Sequence, residues 1–197
     1  MIFGPNTLIR WLTICGLVLL CAQTSRGFTL PTLMARLAEV QDASARFTET
    51  KHVPILNTPL QSSGTLSYRA PDYIRKTTFA PARQNFVLQG NIVTLTINGK
   101  TKHFTLSQAP QLAGLVEGVR ATLAGDLPTL QHYYELSLSG RLAHWQLIMR
   151  PHNVGLARIN AVMCVTGAGD RITEIDSTSA KGGETIMQVD ETIQNAQ

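Results

Sequence analysis

Residues 85–106, NFVLQGNIVTLTINGKTKHFTL, constrain the fold more than any other stretch of this chain. Apolar and polar side chains alternate along most of it, which is the period-two pattern of a strand with one buried face. Asn98-Gly99 favours the positive φ angles of a two-residue hairpin turn, and Gln89-Gly90-Asn91 marks a second turn. The segment therefore predicts consecutive antiparallel strands.

Helical spacing appears at three places among further strand patterns. Residues 30–41 carry an apolar stripe behind Thr29 and Pro31, and apolar residues recur three and four apart between 112 and 123. A short helix is predicted over 126–134. Strands are predicted before residue 80 and after 134, including a hairpin that turns at 139–141 and a strand over 158–167. This order predicts an α+β fold, in which a curved antiparallel sheet forms an unclosed β-barrel and the helices cover its concave apolar face.

The first 27 residues have the pattern of a cleaved signal peptide. Arg10 precedes an apolar run over residues 11–22, which is too short to span a bilayer core of about 30 Å, and polar residues follow at once. We expect cleavage between Ala22 and Phe28, with residues 28–197 forming one domain. An uncleaved anchor is the alternative, whereas lipidation is disfavoured because large residues precede Cys15 and Cys21.

Charge and cysteine content exclude several classes of protein. Of the 17 basic residues, two fall in the signal peptide, which leaves 15 against 13 acids and a net charge of only +2. Basic residues concentrate between 65 and 105, and acids predominate from 165 onward. The basic residues lack the interleaved aromatic residues of a nucleic-acid stacking surface, so no nucleic-acid partner is expected. Cys164 alone remains after cleavage, and its apolar surroundings in the sequence predict a buried small side chain.

Residue patterns of catalysis are missing from the sequence. It contains no G-x-S-x-G, H-E-x-x-H, C-x-x-C or phosphate-binding glycine loop, and no two of its five histidines have the spacing of a helical metal pair. We therefore assign no catalytic residue, no metal ligand and no cofactor. A sheet with one apolar side under helices is instead suited to binding apolar ligands, with a few polar groups at the mouth.

The order of segments resembles the LolA family of periplasmic carriers of outer-membrane lipoproteins. The resemblance is carried by LPTLMARLAEVQDASARFTETK (30–51), GTLSYRAPDYIRKTTFAP (64–81) and FVLQGNIVTLTI (86–97). It covers most of the chain after residue 27. The later segments, LVEGVRATLAGDLPTLQHYYELSLSG and HWQLIMRP, are more similar to a divergent branch associated with export of aryl polyene or polyketide-like lipids.

The resemblance implies a monomeric carrier in the periplasm of a Gram-negative bacterium. It implies lipid or acylated protein as cargo, transient membrane contact, and handover from an inner-membrane exporter to an outer-membrane acceptor. It also implies an apolar cavity for acyl chains, for which the sequence offers these candidates: Leu33, Leu37, Phe47, Leu66, Tyr68, Phe86, Leu88, Leu95, Ile97, Leu112, Leu115, Val119, Trp145, Leu147 and Met149. Three cations, Arg69, Arg75 and Lys76, are expected at the rim or outer face, where they would meet anionic headgroups or an acidic partner.

One position departs from the family pattern. The family carries an arginine directly before the first proline, and that arginine takes part in opening and closing the cavity. Here Ala70 precedes Pro71 and Arg69 stands one residue earlier, on the opposite face of a strand. A free lipid or glycolipid is therefore as good a cargo as a lipoprotein. Two other functions stay open: a non-transport envelope scaffold or sensor whose interior is filled by its own side chains, and a small hydrolase that uses a cavity histidine.

Overall fold

The alternating segments form eleven strands in the computed structural model, which describes residues 27–190. The predicted signal peptide, apart from its last residue, lies outside the described residues. The helices are α1 Leu30–Leu37, α2 Pro110–Ala124, α3 Leu127–Tyr133 and α4 Val154–Ile159, with a 3₁₀ turn at Leu106–Gln108. The strands are β1 Asp42–His52, β2 Leu60–Arg69, β3 Tyr73–Ala80, β4 Gln84–Gln89, β5 Ile92–Ile97, β6 Lys100–Thr105, β7 Tyr134–Arg141, β8 His144–Pro151, β9 Val162–Ala168, β10 Arg171–Thr178 and β11 Glu184–Asp190.

All eleven strands belong to one antiparallel sheet in the order β6-β5-β4-β3-β2-β1-β11-β10-β9-β8-β7. The sheet consists of two runs of neighbouring strands, β1 to β6 and β7 to β11. They are joined where β1 pairs with β11, from Arg46 opposite Asp190 to His52 opposite Glu184. The end strands β6 and β7 do not pair with each other, so the barrel is unclosed. The predicted α+β fold is confirmed.

The helices lie on one face of this sheet, which we call the inner face. The larger core cluster packs α1 against β8 and β9 through Leu33, Leu37, Trp145, Leu147 and Met163. A smaller cluster packs Val116 of α2 and Leu106 against Leu88 and Val93 on β4 and β5. Since α2 contributes to both clusters, it bridges the two ends of the sheet.

Two local predictions differ from the structure. Residues 158–167 were expected to be one strand, but α4 occupies Val154–Ile159 and β9 starts at Val162. The Asn153 side chain caps α4 by accepting the Gly155 and Leu156 N–H groups, which stabilises its first turn. The β7–β8 hairpin turns at 142–143 rather than 139–141, because Gly140 continues the strand opposite Trp145.

Two glycines allow α2 to approach its neighbours closely. A methyl group at Gly114 would lie 2.5 Å from Leu156 Cδ2, and one at Gly118 would lie 2.8 Å from the Tyr134 ring and hydroxyl. The Tyr134 hydroxyl donates to the Gly114 carbonyl at 2.9 Å. Gly114 and Gly118 are therefore sites of close packing. Within residues 27–190, no helix has the length and apolar content needed to cross a bilayer.

Candidate functional site

The inner face carries two parallel rows of side chains across β1 to β6, and they differ in cover. Cross-strand register aligns the first row as Tyr68, Ile74, Leu88, Val93 and Phe104. Leu88 and Val93 are fully buried beneath α2. This covered inner row is part of the protein's own core.

The second row lies two residues further along each strand on the same face, and helices cover it only partly. Register aligns it across β1 to β6 as Ala45, Leu66, Lys76, Phe86, Leu95 and Lys102. Leu66, Phe86 and Leu95 are half-buried, whereas Tyr68, Leu88 and Val93 of the covered row are buried. Ile97 continues the apolar surface along β5 and is 40 % exposed. We call this second row, together with Ile97, the open inner row.

Lys76 is the charged side chain at the centre of the open inner row. Its Nζ lies 2.5 Å from Glu49 Oε2 and 4.7 Å from the centre of the Phe47 ring. The Ser62 hydroxyl donates to the other Glu49 oxygen at 3.2 Å. Both charged side chains are mostly buried, at 27 % and 18 % exposed. The pair therefore places a polar group within an apolar surface, where weak solvent screening strengthens the attraction.

The other two predicted cations lie on the outer face. Arg69 Nε is 3.1 Å from Asp42 Oδ1, and both side chains are strongly exposed. The Arg75 Nε donates to Asn85 Oδ1 at 3.0 Å. Lys76 was expected beside them, but its strand position points it to the inner face. Arg69 follows the inner-facing Tyr68 on β2 and therefore lies on the outer face.

A second ion pair, Glu117–Arg120, lies within α2, and its arginine also bonds to the end of the sheet that carries Pro71 and Asp72. Arg120 binds both oxygens of Glu117, at 2.7 and 2.6 Å, and its Nη1 donates to the Gly90 carbonyl at 3.3 Å. Glu117 is buried, so the pair satisfies its charge. This contact holds α2 against the β4–β5 turn and thereby over the covered inner row.

The fifteen predicted cavity residues divide into two groups. Eight are buried and packed in the interior: Leu33, Leu37, Phe47, Tyr68, Leu88, Trp145, Leu147 and Met149. Seven keep contact with solvent: Leu66, Phe86, Leu95, Ile97, Leu112, Leu115 and Val119. Four of these seven form the apolar part of the open inner row, and the other three lie on α2.

Two clefts in the described residues lie elsewhere. One, of about 250 Å³, lies between Asp72 and the Glu117–Arg120 pair. The other, of about 400 Å³, is lined by polar side chains that include Thr166, Glu174 and Gln188. Neither of these two clefts includes a residue of the open inner row.

Sequence reasoning missed both acidic partners, Glu49 and Glu117. Glu49 lies two residues after Phe47 on the same strand, so the period-two rule could have placed it on the inner face. Glu117 lies three residues before Arg120 on a helix, which is the spacing of a side-chain pair. The signal that could not be seen is the pairing of Glu49 with Lys76, because it depends on the register of three strands.

A family model described as "Outer membrane lipoprotein carrier protein LolA-like" matches residues 22–193 of the chain. A search of curated proteins found no match to this chain.

Among solved structures, a LolA superfamily protein from Nitrosomonas europaea is 8 % identical, covering 87 % of this chain and 96 % of that chain with a TM-score of 0.44. A DUF1329 family protein from Desulfovibrio piger is 11 % identical, covering 82 % and 89 % with a TM-score of 0.48. A putative outer membrane lipoprotein-sorting protein domain from Vibrio parahaemolyticus is 9 % identical, covering 82 % and 89 % with a TM-score of 0.42. Likenesses at this level transfer neither ligand nor partner.

Proposed function

The chain belongs to the LolA-like family of outer membrane lipoprotein carrier proteins, and from this premise we propose that it carries acyl chains on its open inner row. In this proposal residues 1–27 direct export to the periplasm of a Gram-negative bacterium and are then removed. The monomeric carrier receives its cargo from an inner-membrane exporter and delivers it to an outer-membrane acceptor. It uses no cofactor and catalyses no reaction.

The observation that carries the proposal is the incomplete cover of the inner face. Leu66, Phe86, Leu95 and Ile97 supply apolar side chains to the open inner row from β2, β4 and β5, and no helix buries them fully. An acyl chain laid along them would gain about 0.8 kcal/mol for each methylene that it buries. The surface is thus suited to a flexible hydrocarbon tail.

The cargo is either the acyl chains of a lipoprotein or those of a free lipid or glycolipid. Ala70 occupies the place of the arginine that takes part in gating in the family. In this chain Arg120 of α2 donates to the Gly90 carbonyl at the β4–β5 turn. We therefore extend the proposed cargo beyond lipoproteins.

The two alternative functions have less support. An interior filled by the protein's own side chains, as a non-transport scaffold or sensor requires, describes the covered inner row but not the open one. A hydrolase would need a histidine beside the apolar surface, yet all five histidines are exposed, and His103 lies on the outer face, bonded to Thr94.

Native mass spectrometry of the protein purified from a bacterial periplasm tests the proposal directly. We expect masses of the protein with co-purified lipid, released as free lipid on activation in the gas phase. A bare protein mass, together with no uptake of a fluorescent fatty acid in solution, would support the scaffold or sensor instead.

A matched pair of variants on β5 locates the binding surface. Leu95→Gln places a polar group in the open inner row, whereas Ile92→Gln changes an exposed residue on the outer face of the same strand. We expect Leu95→Gln to weaken binding of a fluorescent fatty acid about tenfold or more, since one buried apolar side chain contributes about 1.5–3 kcal/mol. Ile92→Gln should bind as the wild type does. Equal affinity of both variants would place the ligand elsewhere.

A further inference from the structure

Exposed apolar side chains are concentrated at one edge of the sheet. Antiparallel order brings the β1–β2, β3–β4, β5–β6, β8–β9 and β10–β11 connections to this edge. Residues 53–59 and 179–183 adjoin there, since a methyl group at Gly182 would lie 3.8 Å from Pro54. We name the surface formed by these five connections the Ile55 edge, after its most exposed apolar residue, at 88 %.

Seven of the eight large apolar side chains that are exposed within residues 27–190 lie on the Ile55 edge. They are Ile55, Leu56, Leu60, Phe79, Ile97, Val154 and Ile159. The eighth, Ile92, lies at the opposite edge. Single exposed apolar residues are ordinary, but such a concentration marks an interaction surface.

Cations are concentrated on the same edge. Counting the connections and the two residues at each strand end, the Ile55 edge holds six cations and two acids, Glu135 and Glu184. The cations are Lys51, Arg83, Lys100, Arg150, Arg158 and Lys181. All six are exposed, and none forms an ion pair with another residue of the described chain.

The opposite edge has a different charge balance. By the same count it holds three cations, Arg69, Arg141 and Arg171, against four acids, Asp42, Asp72, Asp170 and Asp190. The concentration of unpaired positive charge and exposed apolar surface is therefore a property of one edge and not of the whole molecule.

We propose that the Ile55 edge docks the protein on a bilayer surface that contains anionic lipids. Apolar side chains that enter the headgroup region combine with cations that meet anionic headgroups, and this pairing is the general basis of peripheral membrane binding. The seven apolar residues are spread over four of the connections and the strand ends beside them, and form a rim rather than a groove. A soft, continuous lipid surface can meet all of them at once.

The position of this edge complements the proposed carrier function, although the docking proposal stands on separate observations. Ile97 belongs both to the Ile55 edge and to the open inner row, and Lys100 lies opposite it on β6. Docking through this edge would bring the open inner row next to the headgroup region, where an acyl chain would pass between bilayer and protein.

Flotation with lipid vesicles tests the docking surface. The chain without residues 1–27 should float with vesicles of phosphatidylcholine and phosphatidylglycerol mixed in equal amounts, and not with phosphatidylcholine alone. Raised salt should weaken the binding, because it screens the headgroup charge. No flotation with either vesicle would overturn the proposal and assign the edge to a protein partner.

Variants at the two edges provide the matched comparison. Lys100→Gln removes an exposed cation from the Ile55 edge and should weaken vesicle binding about fivefold, as expected for one cation near an anionic surface. Ile55→Asp should weaken it further. Arg141→Gln and Ile92→Asp, at the opposite edge, should leave binding unchanged. Equal effects at both edges would show general adsorption and would refute the assignment.

The fatty-acid binding assay separates this proposal from the proposed function. Ile55→Asp and Lys100→Gln should still take up the fluorescent fatty acid from solution, since neither residue contributes apolar surface to the open inner row. Loss of vesicle binding with normal uptake supports docking alone. Normal vesicle binding without fatty-acid uptake in the wild type would refute the carrier but leave the docking surface standing.

Discussion

At the scale of single residues, the buried charges of Lys76 and Glu49 depend on each other: each compensates the other's burial. They lie 2.5 Å apart on the inner face and are mostly screened from water. Removing one member leaves the other charge partly buried without its partner, which costs more than the net contribution of the intact pair.

A double-mutant cycle measures this effect. We expect Lys76→Met and Glu49→Gln each to lower the free energy of unfolding by about 1–3 kcal/mol. The double variant should lose less than the sum of the two. Denaturant unfolding provides the values, with the Arg69–Asp42 pair as control, because at 72 % and 70 % side-chain exposure it should contribute about 1 kcal/mol or less. Single variants of Lys76 that behave like those of Arg69 would contradict the expectation.

Asp176 on β10 is a second residue whose environment predicts a measurable effect. Burial raises the pKa of its carboxyl above the ordinary value of 3.8, and the charges of Glu184 and Glu174 raise it further. Its Oδ1 is buried without a hydrogen-bond partner in the described structure. The folded state thus holds the proton more tightly than the unfolded chain does.

The sign of the pH dependence follows from this raised pKa. The stability that Asp176 contributes is fully present below pH 3.8 and is lost as pH rises through the folded-state pKa. Asp176→Asn should therefore raise the denaturation midpoint at neutral pH and have less effect below pH 3.8. Asp170→Asn, in the exposed β9–β10 turn, serves as the control. A gain that is independent of pH would mean that the amide acts through a new hydrogen bond instead.

At the scale of secondary-structure elements, α2 depends on two glycines for its position. Each glycine makes helix formation about 1 kcal/mol less favourable than alanine would. Gly118 nevertheless faces the ring of Tyr134, which is buried and fixed by its hydrogen bond to the Gly114 carbonyl. Burial also raises the pKa of the Tyr134 hydroxyl to about 12. Close approach to a rigid ring therefore outweighs helix propensity at this position.

Replacing these glycines by alanine tests the ranking. Gly118→Ala should lower the free energy of unfolding by about 1–3 kcal/mol, because the added methyl group forces α2 away from the Tyr134 ring. Gly114→Ala should cost less, since its nearest neighbour is the flexible end of Leu156. Chemical denaturation of both variants gives the comparison. Stabilisation by Gly118→Ala would show that propensity governs α2.

At the scale of the whole molecule, the sheet builds the open inner row and the Ile55 edge from residues that lie far apart in the chain. The β1–β11 pairing joins residues 42–52 to 184–190, and α2 bridges both ends of the resulting sheet. The Ile55 edge draws its apolar and cationic side chains from connections between residues 51 and 184. The open inner row meets this edge at Ile97. The two proposed activities, tail binding and membrane docking, thus share one boundary of the molecule.

Local patterns in the sequence determined the number and kind of most elements, the hairpin turn at Asn98-Gly99, the apolar identity of the core and the family. These features depend on interactions between residues near each other in the chain, such as turn geometry and side-chain periodicity. The cap at Asn153 is also a local interaction, but the helix that it starts overlaps a segment whose pattern is typical of a strand.

The tertiary structure alone decided which apolar residues are core and which remain open. Leu88 and Leu95 share a strand pattern, yet α2 buries the first and not the second. The structure also decided that Lys76 pairs with Glu49 and that seven exposed apolar residues meet at one edge. The physical reason is that burial and pairing depend on strand register and helix placement, which are set by contacts across the whole chain.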